Sequence, residues 1–341
     1  MPVDKVLMYL DNRPFAGPVT NTILEIKSMN HVRIPGVLVV LAASLAVVGC
    51  GKKEEPKAAA PAAAPVAAAP APAKPEILVV KIGHVAPLTG PIAHLGKDNE
   101  NGARLAIEDA NAKKVEIGGK VVQFELLGED DQADPKTGTV VAQKLVDAKV
   151  AGVVGHLNSG TTIPASAIYN QAGLPQISPS ATNPKYTQQG FNTAFRVMAN
   201  DIQQGSVVGT YAVKDLGGKK IAIIDDRTAY GQGLADEVEK AAKAAGATVV
   251  AREFTTDKAT DFKAILTKIK AKKPDVIFLG GMDAVGGPML KQIKELGIQA
   301  KFTTGDGGCS PELIKLAGPA SEGVICTQAG LPPEKLPNGQ K

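Results

Sequence analysis

Short apolar runs alternate with longer amphipathic ones through most of this chain. Residues 77–83 read ILVVKIG, an apolar run of strand length. Residues 98–113 follow a helical period instead, with Ala103, Ala106, Ile107 and Ala110 on one face. The same reading gives strands at 121–127, 150–155 and 174–177, with helices at 135–148 and 160–171 between them. After a short strand at 195–198 and a helix at 201–216, the rhythm restarts. Strands are predicted at 220–224, 248–253, 275–279, 301–304 and 323–326, and helices at 231–245, 260–272, 285–296 and 311–316. Strands alternating with helices of this length mean βαβ units and mainly parallel sheets. The restart predicts two lobes on one plan, at 76–198 and 199–330, with 331–341 as a tail.

On such sheets, ligands sit beyond the carboxyl ends of the strands. In the first half the strand-exit loops are 85–96, 156–159 and 178–182. The last two fall in one stretch, 155–184, reading GHLNSGTTIPASAIYNQAGLPQISPSATNP. It carries several hydroxyls and a helix start at Gly160-Thr161-Thr162. A helix start offers unpaired N–H groups and partial positive charge, which suit a small carboxylate. Hydroxyls and carbonyls of the second loop suit an ammonium. Capping and turn formation alone explain the same Ser and Thr residues equally well. In the second half the exit loops carry Tyr230, Asp283 and Asp306, which would furnish an opposite wall. Asp306 lies between glycines, so its carboxylate is expected to be unshielded. It fits a substrate ammonium or an ordinary turn.

Composition narrows the classes. The 341 residues are 44% hydrophobic and 21% charged, which is globular and long enough for two domains. Lys plus Arg number 38 against 34 acidic residues, with aromatics at 4% and no Trp. A nucleic-acid interface needs a basic stripe and stacking aromatics, so none is expected. His31, His84, His94 and His156 show no ligand spacing, and Cys50, Cys309 and Cys326 form no C-x-x-C, so no metal or cofactor is expected. The acidic loop 129–135 lacks the glycine and terminal Glu of a calcium loop. Asp134-Pro135 is a good helix start, so the acids are expected to cap and solvate. Cys309 and Cys326 lie near consecutive strand ends and are a possible disulfide in an oxidising compartment.

The first 50 residues read as a leader. Residues 34–48 have the length of a signal-peptide core, too short for a confident membrane span, and end at Val47-Val48-Gly49-Cys50. That ending is similar to a bacterial lipobox, which would make Cys50 the lipidated residue; an ordinary secretory signal that happens to contain a Cys fits the same run. Residues 1–28 fit no signal logic and are expected to be a mis-annotated extension ahead of Met29. Residues 51–75 are a Lys/Glu pair run and an Ala/Pro tract. Proline keeps such a tract extended, with a reach of roughly 75 Å at about 3.1 Å per residue. Membrane association is therefore expected only through a lipid anchor, on the periplasmic or other extracytoplasmic side.

The folded part resembles the branched-chain amino acid receptors of ABC importers, the type I periplasmic binding proteins. The resemblance rests on Gly155-His156-Leu157-Asn158-Ser159, Pro164-Ala165-Ser166, 177–184, Tyr230-Gly231-Gln232-Gly233-Leu234-Ala235 and Gly305-Asp306-Gly307. It implies two Rossmann-like lobes, joined by a three-stranded hinge, that close over an aliphatic amino acid without altering it. It implies that Ser159 and Thr182 bind the ligand's carboxylate and ammonium with backbone help at Ser180. Tyr230 would join on closure, Asp306 would take the ammonium, and Leu95 and Leu157 would lie near the side-chain pocket. Met282 stands where the family usually offers Tyr, which bears on specificity. The partners implied are a membrane permease and separate ATPase subunits. The family continues past the position of Lys341, so a C-terminal truncation is expected.

Two other readings remain open at this level. An extracytoplasmic hydrolase would need Ser159 as nucleophile, but it lacks a G-x-S-x-G setting. Gly231-Gln232-Gly233 likewise lacks the third glycine of a phosphate loop. A sensor of amino acids or amides on the same fold would share every feature above.

Overall fold

The computed structural model describes residues 8–9 and 76–328. The rest of the leader with Cys50, the 51–75 linker and the 331–341 tail lie outside the described residues. Apart from the two-residue strand β1 (Met8–Tyr9), the order runs β2 (Ile77–Ala86), α1 (Ala93–Ala112), β3 (Glu116–Ile117), β4 (Lys120–Asp130), α2 (Pro135–Asp147), β5 (Gly152–Gly155), α3 (Ser159–Gln171), β6 (Gln176–Ser178) and β7 (Ala194–Arg196). It continues with α4 (Asp201–Lys214), β8 (Lys220–Asp225), α5 (Ala229–Ala244), β9 (Thr248–Phe254), α6 (Lys263–Lys272), β10 (Val276–Gly280), α7 (Asp283–Glu295), β11 (Lys301–Thr304), α8 (Pro311–Ala317) and β12 (Ile325–Gln328).

These strands make two sheets, one per lobe. The first has the order β3-β4-β2-β5-β6-β7 and the second β1-β12-β11-β10-β8-β9. All pairings are parallel except the β3–β4 hairpin, which turns at Gly118-Gly119 and was not anticipated from the sequence. The α/β class with two lobes and mainly parallel sheets is therefore present as expected. Between 76 and 328 the chain passes from one sheet to the other once, at 197–200.

The second lobe shows why its strands read as unbroken apolar runs. All five residues of β10 are buried. Ile277 and Leu279 face α6, α7 and α8, packing with Leu266, Ile269, Met289, Leu290 and Leu313. Val276 and Phe278 face α4 and α5, packing with Val208, Leu234 and Val238. A parallel strand covered on both faces has no solvated side to mark with polar residues. In the first lobe, α2 and α3 cover one face through Val141, Leu145, Ala165 and Tyr169 against Val85 and Val153.

Element ends shift where the pattern is silent. Helix α1 begins at Ala93, five residues before the expected start at 98, so Leu95 is helical and not in a loop. Strand β4 runs through Asp130, because the edge of a parallel ladder continues as long as its backbone pairs, and Val85 and Ala86 still pair with Glu129 and Asp130. The acids of that loop are each engaged. Asp130 accepts from Leu88 N at 2.8 Å and from the Thr89 hydroxyl. Asp131 accepts from Ala133 N. Asp134 caps α2 through Thr137 N at 2.7 Å, with Pro135 in the first turn.

Candidate functional site

Parallel register brings the carboxyl ends of the strands level. Val85 pairs with Gly155 in the first lobe, and Gly280 with Asp225 in the second. The loops leaving these ends form the two walls of a cleft of about 110 Å³. From the first lobe come Leu95, Asp98 and Asn99 on α1, Leu157 to Ser159 at the start of α3, and Ser180 after β6. The second lobe supplies Tyr230 on α5, Met282 before α7, and Asp306 with Gly307 after β11. Seven of the eight residues singled out from the sequence therefore meet at one place.

Thr182 is the exception. It is buried beside the cleft, and its carbonyl accepts from Asp201 N at 2.9 Å. The other hydroxyls divide. Thr161 and Thr162 bond back to the Asn158 carbonyl, at 3.1 and 2.8 Å, and Ser178 Oγ donates to the His156 carbonyl at 2.7 Å. These three serve turn and cap. Ser159 and Ser180 line the cleft while still tied into it. Ser159 Oγ accepts from Asn183 N at 3.2 Å, and Ser180 Oγ donates to Asn99 at 2.8 Å.

The expectation of an unshielded Asp306 is corrected. Tyr230 lies over it, its hydroxyl donating to Asp306 Oδ1 at 2.9 Å while accepting from Gly307 N at 3.0 Å. Flanking glycines thin the cover along the chain but say nothing of a tyrosine arriving from another helix. Burial pushes the Asp306 carboxyl above its ordinary range, with Gln204 and Tyr230 opposing the rise. Burial and the nearby Asp306 charge push the Tyr230 hydroxyl well up, so it stays a donor.

The positions of these groups follow from local chemistry. Thr228 caps α5 by accepting from Gly231 N at 2.9 Å, which sets Tyr230 in the first turn. Gly231 and the end of β10 touch. A Cβ on Gly231 would stand 2.4 Å from the Gly280 carbonyl oxygen, so only glycine lets α5 begin there.

Sequence reading missed Asp98, Asn99, Asn158 and Gly307 as lining residues. Asp98 and Asn99 lie three and four positions after Leu95, the spacing that shares a helix face. Recognising that needed the earlier start of α1. It also missed Asp201, which reads as an ordinary acid in a first helical turn. Asp201 is fully buried, and desolvation pushes its carboxyl up to about 7, with the Thr182 hydroxyl opposing and Asp306 reinforcing.

His156 does not address Ser159. Its Nδ1 bonds Asp131 Oδ2 at 2.9 Å, and its Nε2 bonds the Tyr169 hydroxyl at 3.1 Å, all three groups being buried. With both ring nitrogens engaged, this imidazole is not free to activate the serine. Cys309 and Cys326 are bonded to each other, joining the turn after β11 to β12. Among the described residues no helix is long and apolar enough to cross a membrane.

Comparison with known proteins gives a consistent picture. The sequence profile of the periplasmic binding protein family matches residues 79–341. A Leu/Ile/Val-binding protein homolog of Brucella suis is 41% identical over 248 residues, which are 73% of this chain and 66% of that protein. The chain thus spans about two thirds of the length of that curated relative. A leucine-binding protein of Thermotoga maritima superposes with a TM-score of 0.69 at 28% identity, covering 75% of this chain and 71% of the other. A branched-chain amino acid transporter substrate-binding protein of Streptococcus pneumoniae, solved with isoleucine, gives 0.63 at 31% identity, covering 71% and 68%.

Proposed function

The chain belongs to the periplasmic binding protein family, and from that premise we propose that it is a receptor for an aliphatic amino acid of the leucine, isoleucine and valine class. The observation that carries the reading is the pairing of opposite chemistries across one small cleft. The half-buried Asp306 carboxylate stands on one wall, and the N-terminus of α3 with Ser159 stands on the other. A zwitterion presents an ammonium and a carboxylate a few ångströms apart, and this cleft answers both.

In this account Asp306 takes the ammonium, with Tyr230 holding the carboxylate in place. Ser159, the free N–H groups of α3 and the backbone at Ser180 take the ligand carboxylate. Thr182, buried next to them, joins them through a rotation of its hydroxyl. Leu95, Leu157 and Met282 surround the ligand side chain. Residues 76–198 and 199–330 are the two ligand-binding lobes. Charge-assisted hydrogen bonds contribute roughly 1.5–3 kcal/mol each. Several of them with an apolar side chain reach about −8 kcal/mol after ordering costs, the micromolar range. The ligand touches both walls only when the lobes meet, so it favours the closed form.

The receptor binds without turnover, as the engagement of His156 supports. It delivers its ligand to an ABC permease driven by separate ATPase subunits, on the extracytoplasmic face of a bacterial membrane. Lipidation at Cys50 with residues 51–75 as tether is part of the same proposal. Calorimetric titration with leucine, isoleucine, valine and phenylalanine tests the ligand class. Micromolar binding of at least one aliphatic member, tighter than phenylalanine, is expected. Absence of binding to folded protein overturns the assignment.

A further inference from the structure

One contact between the lobes belongs to neither the zwitterion site nor either core. His94 Nε2, on the first turn of α1, bonds Asp283 Oδ2, on the first turn of α7, at 2.7 Å across 189 residues of chain. Each partner is the sequence neighbour of a cleft-lining residue: His94 of Leu95, and Asp283 of Met282. We infer that His94 and Asp283 are an interlobe latch, positioning residues that hold the cleft shut over the ligand's side chain and set its residence time.

Asp283 is built to receive a partner. Its side chain is 0% exposed. The same Oδ2 accepts from Ser310 Oγ within its own lobe, which fixes the carboxylate, while Oδ1 has no hydrogen-bond partner. A buried carboxylate short of donors gains strongly from one more. His94 brings it from the other lobe. His94 is 34% exposed, so it rests at the rim and withdraws with α1 when the lobes part. Opening then removes a donor from a carboxylate that its own lobe satisfies only in part. That asymmetry favours the closed form before any ligand arrives. A contact made only in the closed form slows ligand escape more than it alters encounter.

The effect on residence rests on the amino-acid reading above, but the latch itself is read without ligand. Nitroxides at Lys113→Cys and Lys291→Cys, one exposed site per lobe, in a Cys50→Ser background, report the interlobe distance by pulsed electron resonance. Ligand-free protein is expected to show a short-distance population. His94→Leu depletes it several-fold, and His94→Gln, which keeps a donor, restores part of it. Because His94 lies at the rim, neither variant threatens folding. In stopped-flow measurements with leucine, His94→Leu is expected to raise the dissociation rate about tenfold, with the association rate nearly unchanged. An unchanged distance distribution in His94→Leu overturns the latch. So does an unchanged leucine dissociation rate in protein that binds leucine. Failure of the wild type to bind leucine at all strikes the amino-acid reading, and the distance measurement still decides the latch.

Discussion

Asp306, half-buried at the cleft, and Asp201, fully buried, are two acids with opposite duties. Asp306 faces the cleft and must be ionised to hold an ammonium. Its carboxyl is raised by burial, and a bound ammonium would lower it again. Affinity is then full above that raised value and falls as pH drops through it, at higher pH than an ordinary carboxylate would give. Asp306→Asn keeps the Tyr230 acceptor but loses the charge. Calorimetry should show roughly 100-fold weaker leucine binding, from about 1.5–3 kcal/mol of lost charged hydrogen bond, with the thermal midpoint almost unmoved. A matched loss of both would reduce Asp306 to a turn residue. Asp201 is instead a liability of folding. Its folded value of about 7 exceeds an unfolded value of about 3.9, so the protonated form favours the native state. That contribution is complete below about pH 4 and is lost as pH rises toward 7. Urea midpoints at pH 5 and pH 8 should fall steeply for the wild type and less for Asp201→Asn, with Asp226, raised to about 6, supplying the remaining slope. Equal slopes would contradict the assignment. Ser159, Tyr230 and Asp306 were legible in the sequence because strand-exit loops point them at one edge. Asp201, His94 and Asp283 were not, since their meaning depends on which lobe packs over them.

At the scale of elements, the alternation of apolar and amphipathic runs carried most of the architecture. Strands β8, β10 and β11 fall within a residue or so of their apolar runs, because both faces of each are covered. Helix α1 shows where periodicity stops. Its first turn, Ala93 to Gly96, packs at the cleft and against Pro87, and no apolar stripe announces it. The β3–β4 hairpin is two residues deep and too short to leave a periodic trace. Caps were easier to read than boundaries. Asp134, read as a helix start beside Pro135, accepts from Thr137 N as a cap should. Asp134→Ala is expected to cost about 1 kcal/mol in denaturant unfolding while leaving leucine affinity unchanged. A change in affinity would mean that the acidic loop reaches the site after all.

Over the whole molecule, two sheets present the carboxyl ends of their strands to a shared cleft, and the chemistry of the two walls differs. Hydroxyls and a helix start on one side face a shielded carboxylate on the other. On the proposed reading, that division selects a zwitterion over either ion alone. It was visible in the sequence as two sets of exit loops, although the sequence left capping as an equal explanation of the hydroxyls. The structure divides them residue by residue, giving Thr161, Thr162 and Ser178 to turns and leaving Ser159 and Ser180 at the cleft. The most direct test compares leucine with its two charge-deleted relatives, leucinamide and 4-methylpentanoate, by calorimetry on the same protein. Leucine should bind in the micromolar range, and each derivative at least about 100-fold more weakly, as loss of a charged contact predicts. A derivative that binds as tightly as leucine would contradict the two-walled clamp.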